Sequence, residues 1–267
     1  MKPILKPLLF LVLLSIFDLL LRKGIVPIPI PLPSRFPALL FFSIFAIVSW
    51  VLTKKFAQND QMTLSDLGIS FDSKNRKDFF YGFLVGFVLW AFVSLTQTVS
   101  AGFSWEFRPN LSLFSIIHGL IFIFIADLGT ELFTRGYPLT KLKNGFGAHA
   151  AIIIMTLFVA LKSFSFQAGG SLLFYSILIP CLHTIFFSII YFKTKRLGAS
   201  LGMHTGANFV TLSIFDLREA NPNQAIPSGI FQSNVDIETL SLTALQLPWV
   251  LMAFALCIAC YIWWKKY

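Results

Sequence analysis

Charge is what this sequence has least of. Of its 267 residues only 12% are Asp, Glu, Lys or Arg, whereas 56% are hydrophobic. A soluble domain needs roughly a quarter of its residues charged to cover its surface. The shortage excludes a water-facing exterior and places most of the surface against lipid. Cysteine is also scarce: Cys181, Cys257 and Cys260 all sit inside apolar runs, which argues against a disulfide framework or a thiolate metal cluster. The basic, apolar N-terminus lacks a small-x-small cleavage site, and Asp18, Arg22 and Lys23 follow where one would stand. It is therefore expected to be a retained first span rather than a signal peptide. No internal repeat is visible, which removes the usual sign of an inverted-repeat transporter.

What remains is a polytopic, all-α bundle forming one membrane domain over 1–267. Eight spans are expected, at about 4–21, 36–53, 79–98, 111–136, 148–166, 171–192, 198–215 and 246–264, because ~20 helical residues cross a bilayer core. Lys and Arg number 21 against 12 Asp and Glu. In a soluble protein that surplus would suggest nucleic acid, but here it gathers at span ends. On the face carrying the N-terminus lie Lys2, Lys6, Lys54, Lys55, Lys74, Arg76, Lys77, Lys141, Lys143, Lys193, Lys195, Arg196, Lys265 and Lys266. The opposite face holds Arg22, Lys23, Arg35, Arg108 and Arg218. By the positive-inside rule both termini are cytoplasmic, and the expected location is a bacterial plasma membrane. Three connections stand out: a proline-rich segment at 24–37, expected to be extended; a cytoplasmic stretch at 56–78, expected to hold a short helix or hairpin; and a polar outer loop at 216–245.

Ionisable groups inside spans cost several kcal/mol and usually face the bundle interior with a partner. They are Asp18, His118, Asp127, Glu131, Arg135, Lys162, His183 and His204, joined by the neutral Asn208. In GTELFTRGY, Glu131 and Arg135 are four apart and can pair on one helical face, with Asp127 one turn earlier. In GASLGMHTGANFV, His204 and Asn208 are also four apart, and Gly202, Gly206 and Ala207 allow close helix approach. A stacked His and Asn could present two donors to a developing oxyanion, or simply join helices. His118 and His183 are read as structural.

This spacing resembles the CAAX-protease and bacteriocin-processing (CPBP) family of intramembrane proteases. That family carries E-E-x-x-x-R before Gly, then F-x-x-x-H, then H-x-x-x-N or D. Here the first motif aligns with Thr130, Glu131 and Arg135 before Gly136, the second with Phe158 and Lys162, and the third with His204 and Asn208. LSDLGI, ahead of the third span, resembles the family's lead-in, and the likeness covers about 65–215. The resemblance implies the family's helical fold and intramembrane (metallo)endopeptidase reaction of CAAX type. The first motif glutamate and the second-motif histidine would activate water, while His204 and Asn208 would support the oxyanion.

Thr130 and Lys162 stand where the family keeps its water-activating Glu and His. A threonine is not a base at neutral pH, Glu131 is rotated ~100° from that position, and Asp127 lies a turn deeper. The expectation is therefore a protease scaffold with impaired or lost catalysis, in which Lys162 pairs with Asp127 or Glu131. Two alternatives stay open: an active endopeptidase using Glu131 or Asp127 with His204 and Asn208, and a small-solute transporter. Zinc is possible by the family label, with His204 as ligand, but one imidazole with distant carboxylates makes a poor zinc site; no other cofactor is expected. Partners would be membrane lipids and a membrane protein or peptide substrate, with no nucleic acid. Lys162 lies ~22 Å along its helix from Gly147, but His204 only ~9 Å from Gly198. The two share a site only if their helices are offset; otherwise Lys162 snorkels to the outer interface.

Overall fold

A computed structural model describes residues 4–22, 36–108, 113–164, 169–217 and 229–266. Its described helices are α1 (Leu5–Arg22), α2 (Phe36–Asn59), α3 (Ser73–Ala101), α4 (Leu113–Thr134), α5 (Tyr137–Phe146), α6 (Ala148–Ser163), α7 (Gly170–Thr194), α8 (Leu197–Phe209) and α9 (Leu242–Lys266). The protein is an all-α membrane bundle, and a helix occupies each of the eight expected spans. Five of them (α2, α3, α4, α7 and α9) are long and apolar enough to cross a membrane. The others depart from the expected count for separate reasons. Helix α1 carries Lys6, Asp18 and Arg22, α6 has 16 residues, and α8 has 13. At 1.5 Å per residue α8 is about 20 Å long, short of a ~30 Å hydrocarbon core.

The connections carry structure of their own. The stretch after α4 is the amphipathic helix α5. Gly136 ends α4, and Pro138 near the start of α5 lacks an N–H that the first helical turn does not need. The 56–78 stretch holds one 3-10 turn, Ser65–Leu67, ahead of α3. The outer loop pairs with the α3–α4 connection: β1 (Trp105–Phe107), β2 (Phe215–Asp216) and β3 (Phe231–Ser233) form a three-stranded sheet in the order β1-β3-β2. Beta-3 runs antiparallel to β1 and parallel to β2. The proline-rich residues 24–35 and the loop residues 218–228 lie outside the described residues.

The closest packing in the bundle joins α3 to α8, and it depends on glycine. A Cβ on Gly202 would stand 2.0 Å from Phe79 O, one on Gly206 2.2 Å from Phe83 O, and one on Gly86 2.2 Å from Met203 O. No side chain fits there, so the two backbones touch, as small residues permit in membrane helices. Asn75 locks the ends together: its Oδ1 accepts from Gly198 N at 2.7 Å and its Nδ2 donates to Ser70 O at 2.5 Å. The LSDLGI segment sits beneath the α7–α8 turn. Tyr191 donates its hydroxyl proton to Leu67 O at 2.9 Å, and Leu197 N donates to Gly68 O at 2.9 Å. Gly68 has φ +66°, and a Cβ there would lie 2.5 Å from Lys195 O. This lead-in therefore fixes where α8 begins, and so the height at which His204 and Asn208 stand.

Candidate active site

Helices α4 and α8 bring the first- and third-motif residues together. Glu131 is fully buried and Arg135 is 3% exposed. Arg135 Nη1 donates to Glu131 Oε1 in the expected i,i+4 pair and also to Thr134 Oγ1 at 2.9 Å. The same Glu131 Oε1 lies 2.9 Å from His204 Nδ1. One turn deeper, Asn208 Nδ2 donates to Asp127 Oδ1 at 2.7 Å, and His204 Nε2 stands 3.6 Å from that oxygen. The imidazole is thus flanked by a carboxylate at each ring nitrogen. Among the described residues, the buried Asp127 Oδ2, Glu131 Oε2 and Arg135 Nε find no hydrogen-bond partner.

The other aligned positions stand apart from this cluster. Thr130 turns its hydroxyl onto its own helix, donating to Ala126 O at 3.0 Å. Lys162 does not form the expected pair with Asp127 or Glu131. Its Nζ lies 3.4 Å from Asp18 Oδ2 and 4.4 Å from the centroid of the Phe133 ring. The physical reason is facing. Lys162 packs against Phe133, two residues and so ~200° round α4 from Glu131, whereas His204 meets the Glu131 side of that helix, and α1 offers the buried carboxylate of Asp18 on the Lys162 side.

Sequence reasoning missed two partners. Phe187 on α7 stacks against His204 with ring centroids 5.2 Å apart, and the Arg135 guanidinium sits 4.9 Å from the same ring. One phenylalanine out of 31 gives no sequence signal for that role. Asp18 was visible as a charge in an apolar span, and an isolated anion and an isolated cation in separate spans are natural candidates to pair. His183 lies in an aromatic setting with Trp90 at 5.6 Å and Phe186 at 5.4 Å between centroids. His118 stacks on Phe114 at 6.1 Å. Neither contact adds a polar group to the cluster.

Immediately after Asn208 the helix widens into a π turn, Val210–Ile214. Such turns often mark functional positions, because they re-aim the side chains beside them. Here the turn delivers the chain to β2. Next to the cluster, on the same faces of α4 and α8, lies an apolar cavity of about 400 Å³. It is lined by Trp50, Phe79, Phe124, Leu128 and Leu201, with Asn75 and Arg76 among its polar wall residues.

The donor set does not suit zinc. A catalytic zinc takes three protein ligands at about 2.0–2.2 Å, whereas Glu131 Oε1 is held by Arg135 and His204, and Asp127 Oδ1 by Asn208. Among the described residues no group of three His, Cys, Asp or Glu is placed to hold a metal ion.

Residues 111–210, the stretch from the start of α4 through α8, match the family model described as type II CAAX prenyl endopeptidase Rce1-like. No curated protein and no solved structure matches.

Proposed function

The α4–α8 core belongs to the CAAX-protease (CPBP) family of intramembrane proteases, and from that premise we propose that this chain retains the protease scaffold with impaired or lost catalysis. The observation that carries the reading is Lys162. The side chain at the family's second-motif histidine position is committed to Asp18 at 3.4 Å and contributes nothing that could take a proton from water beside His204. Thr130, at the first glutamate position, spends its hydroxyl on Ala126 O. The oxyanion side survives as His204 and Asn208, but both are tied to carboxylates. The polar cluster then works as a brace between α4 and α8. The adjacent apolar cavity is suited to an apolar segment of a membrane protein or peptide, bound without being cut.

An active endopeptidase is the second reading, favoured by one observation: Asp127 Oδ2 and Glu131 Oε2 are buried carboxylate oxygens without a hydrogen-bond partner among the described residues. Either could serve as a base if a water reached it. The test is restoration. Thr130→Glu/Lys162→His, with Asp18→Asn added so that no buried carboxylate is orphaned, should gain cleavage of a peptide library over wild type. A triple variant that folds but stays inert, beside a wild type that cleaves, would reverse the order of the two readings.

A further inference from the structure

Away from the polar cluster, α5, the end of α7 and the turn ahead of α3 enclose a cavity of about 350 Å³ lined by Met62, Asp66, Thr140, Lys143, Asn144, Tyr191, Phe192 and Lys195. Most basic residues around it are already neutralised. Lys6 and Lys141 both reach Asp60, and Arg196 reaches Asp78. Lys143 and Lys195, the two lysines in the cavity wall, have no carboxylate partner among the described residues. The acidic wall residue, Asp66, is occupied by Thr63, whose N and Oγ1 donate to its carboxylate at 2.7 and 2.8 Å. Tyr191 gives its proton to Leu67 O, so Thr140, 2.7 Å away, donates to Tyr191. That leaves the two ammonium groups and the Asn144 amide as the donors able to serve a ligand.

The surroundings set the level of this cavity in the membrane. Lys143 Nζ stands 5.0 Å from the Phe192 ring, Lys193 Nζ 5.5 Å from the Trp263 ring and Lys265 Nζ 5.6 Å from the Tyr261 ring. Phe192 in turn lies 6.4 Å from Trp264. Aromatic and basic residues together at a helix end mark the headgroup layer, where basic pockets between helices take anionic lipid headgroups. We propose that this cavity binds the phosphate of an anionic phospholipid, held by Lys143, Lys195 and Asn144, with Met62 and Phe192 as its apolar floor.

The test uses the full chain in nanodiscs of phosphatidylcholine with phosphatidylglycerol, and counts retained lipid by native mass spectrometry. Wild type should keep phosphatidylglycerol in preference to phosphatidylcholine. Lys143→Gln and Lys195→Asn, the second chosen because asparagine tolerates the φ of +57° at this position, should each lower retention about fivefold. Lys265→Gln/Lys266→Gln should leave it unchanged, and thermal melting would verify that every variant is folded. Equal loss from the Lys265/Lys266 control would show only general attraction to the membrane surface and overturn the proposal. So would unchanged retention in Lys143→Gln/Lys195→Asn. Displacement of the lipid by millimolar inorganic phosphate would reassign the cavity to a soluble phosphate ligand and overturn the lipid assignment.

Discussion

Two ion pairs of different character decide how single residues behave. Glu131 and Arg135 are both buried and paired, and Glu131 also meets His204. Removing one partner leaves an uncompensated charge in low dielectric, at a cost of about 3–5 kcal/mol. Glu131→Gln or Arg135→Leu should therefore lower the thermal midpoint sharply in detergent, and a variant lacking both charges should recover part of the loss. Asp18 and Lys162 differ, because the Lys162 side chain is 37% exposed and solvent screens the pair. A double-mutant cycle on Asp18→Asn and Lys162→Gln should give a coupling near ~1 kcal/mol. A coupling indistinguishable from zero would mean that Lys162 is not committed to Asp18, and its removal from the reaction would need another explanation.

Helices meet here through absent side chains and through one carboxylate. Gly202 and Gly206 let α8 touch α3, so Gly202→Ala places a methyl 2.0 Å from Phe79 O. Overpacking of this kind costs typically 1–3 kcal/mol, and the shift of α8 should also disturb His204. The melting temperature of Gly202→Ala should fall well below that of Gly145→Ala in α5. Near the same end of the bundle, Asp60 joins α1 and α5 to the end of α2 through Lys6, Lys141 and Tyr137, the last donating at 2.8 Å. Partial burial opposes ionisation of Asp60, but the hydrogen bonds from Lys141, Lys6 and Tyr137 outweigh it and bring its pKa down to about 2. A carboxylate depressed in the fold contributes stability that is complete above its unfolded pKa of ~4 and lost as pH falls through the folded one. Between those limits the Asp60 contribution of about 2 kcal/mol should disappear. Asp60→Asn should flatten that part of the stability–pH curve from pH 4 downward while lowering the plateau above it.

At the scale of the whole molecule, hydrophobic runs sufficed for the bundle, since span length is a demand of the bilayer itself. They did not reveal that α8 stops short, because GANFVTLSIF stays apolar while its hydrogen bonding changes to a π turn. The small outer sheet was illegible for another reason: two- and three-residue strands carry no period, and β1 and β3 lie far apart in sequence. Within the cluster, the i,i+4 spacings correctly grouped Glu131 with Arg135 and His204 with Asn208. The partner of Lys162 depended on which side of α4 its neighbouring helices pack against, which a linear sequence does not state. The proposal of a scaffold without its water-activating pair rests on that placement.

The most direct measurement is cleavage by the purified wild-type protein, reconstituted in lipid, against a library of peptides and membrane-anchored peptides, run beside His204→Ala. The account predicts that the two proteins give the same product profile at the background level. Robust cleavage by wild type that His204→Ala abolishes would contradict it, and would show that Asp127 or Glu131 supplies the missing base.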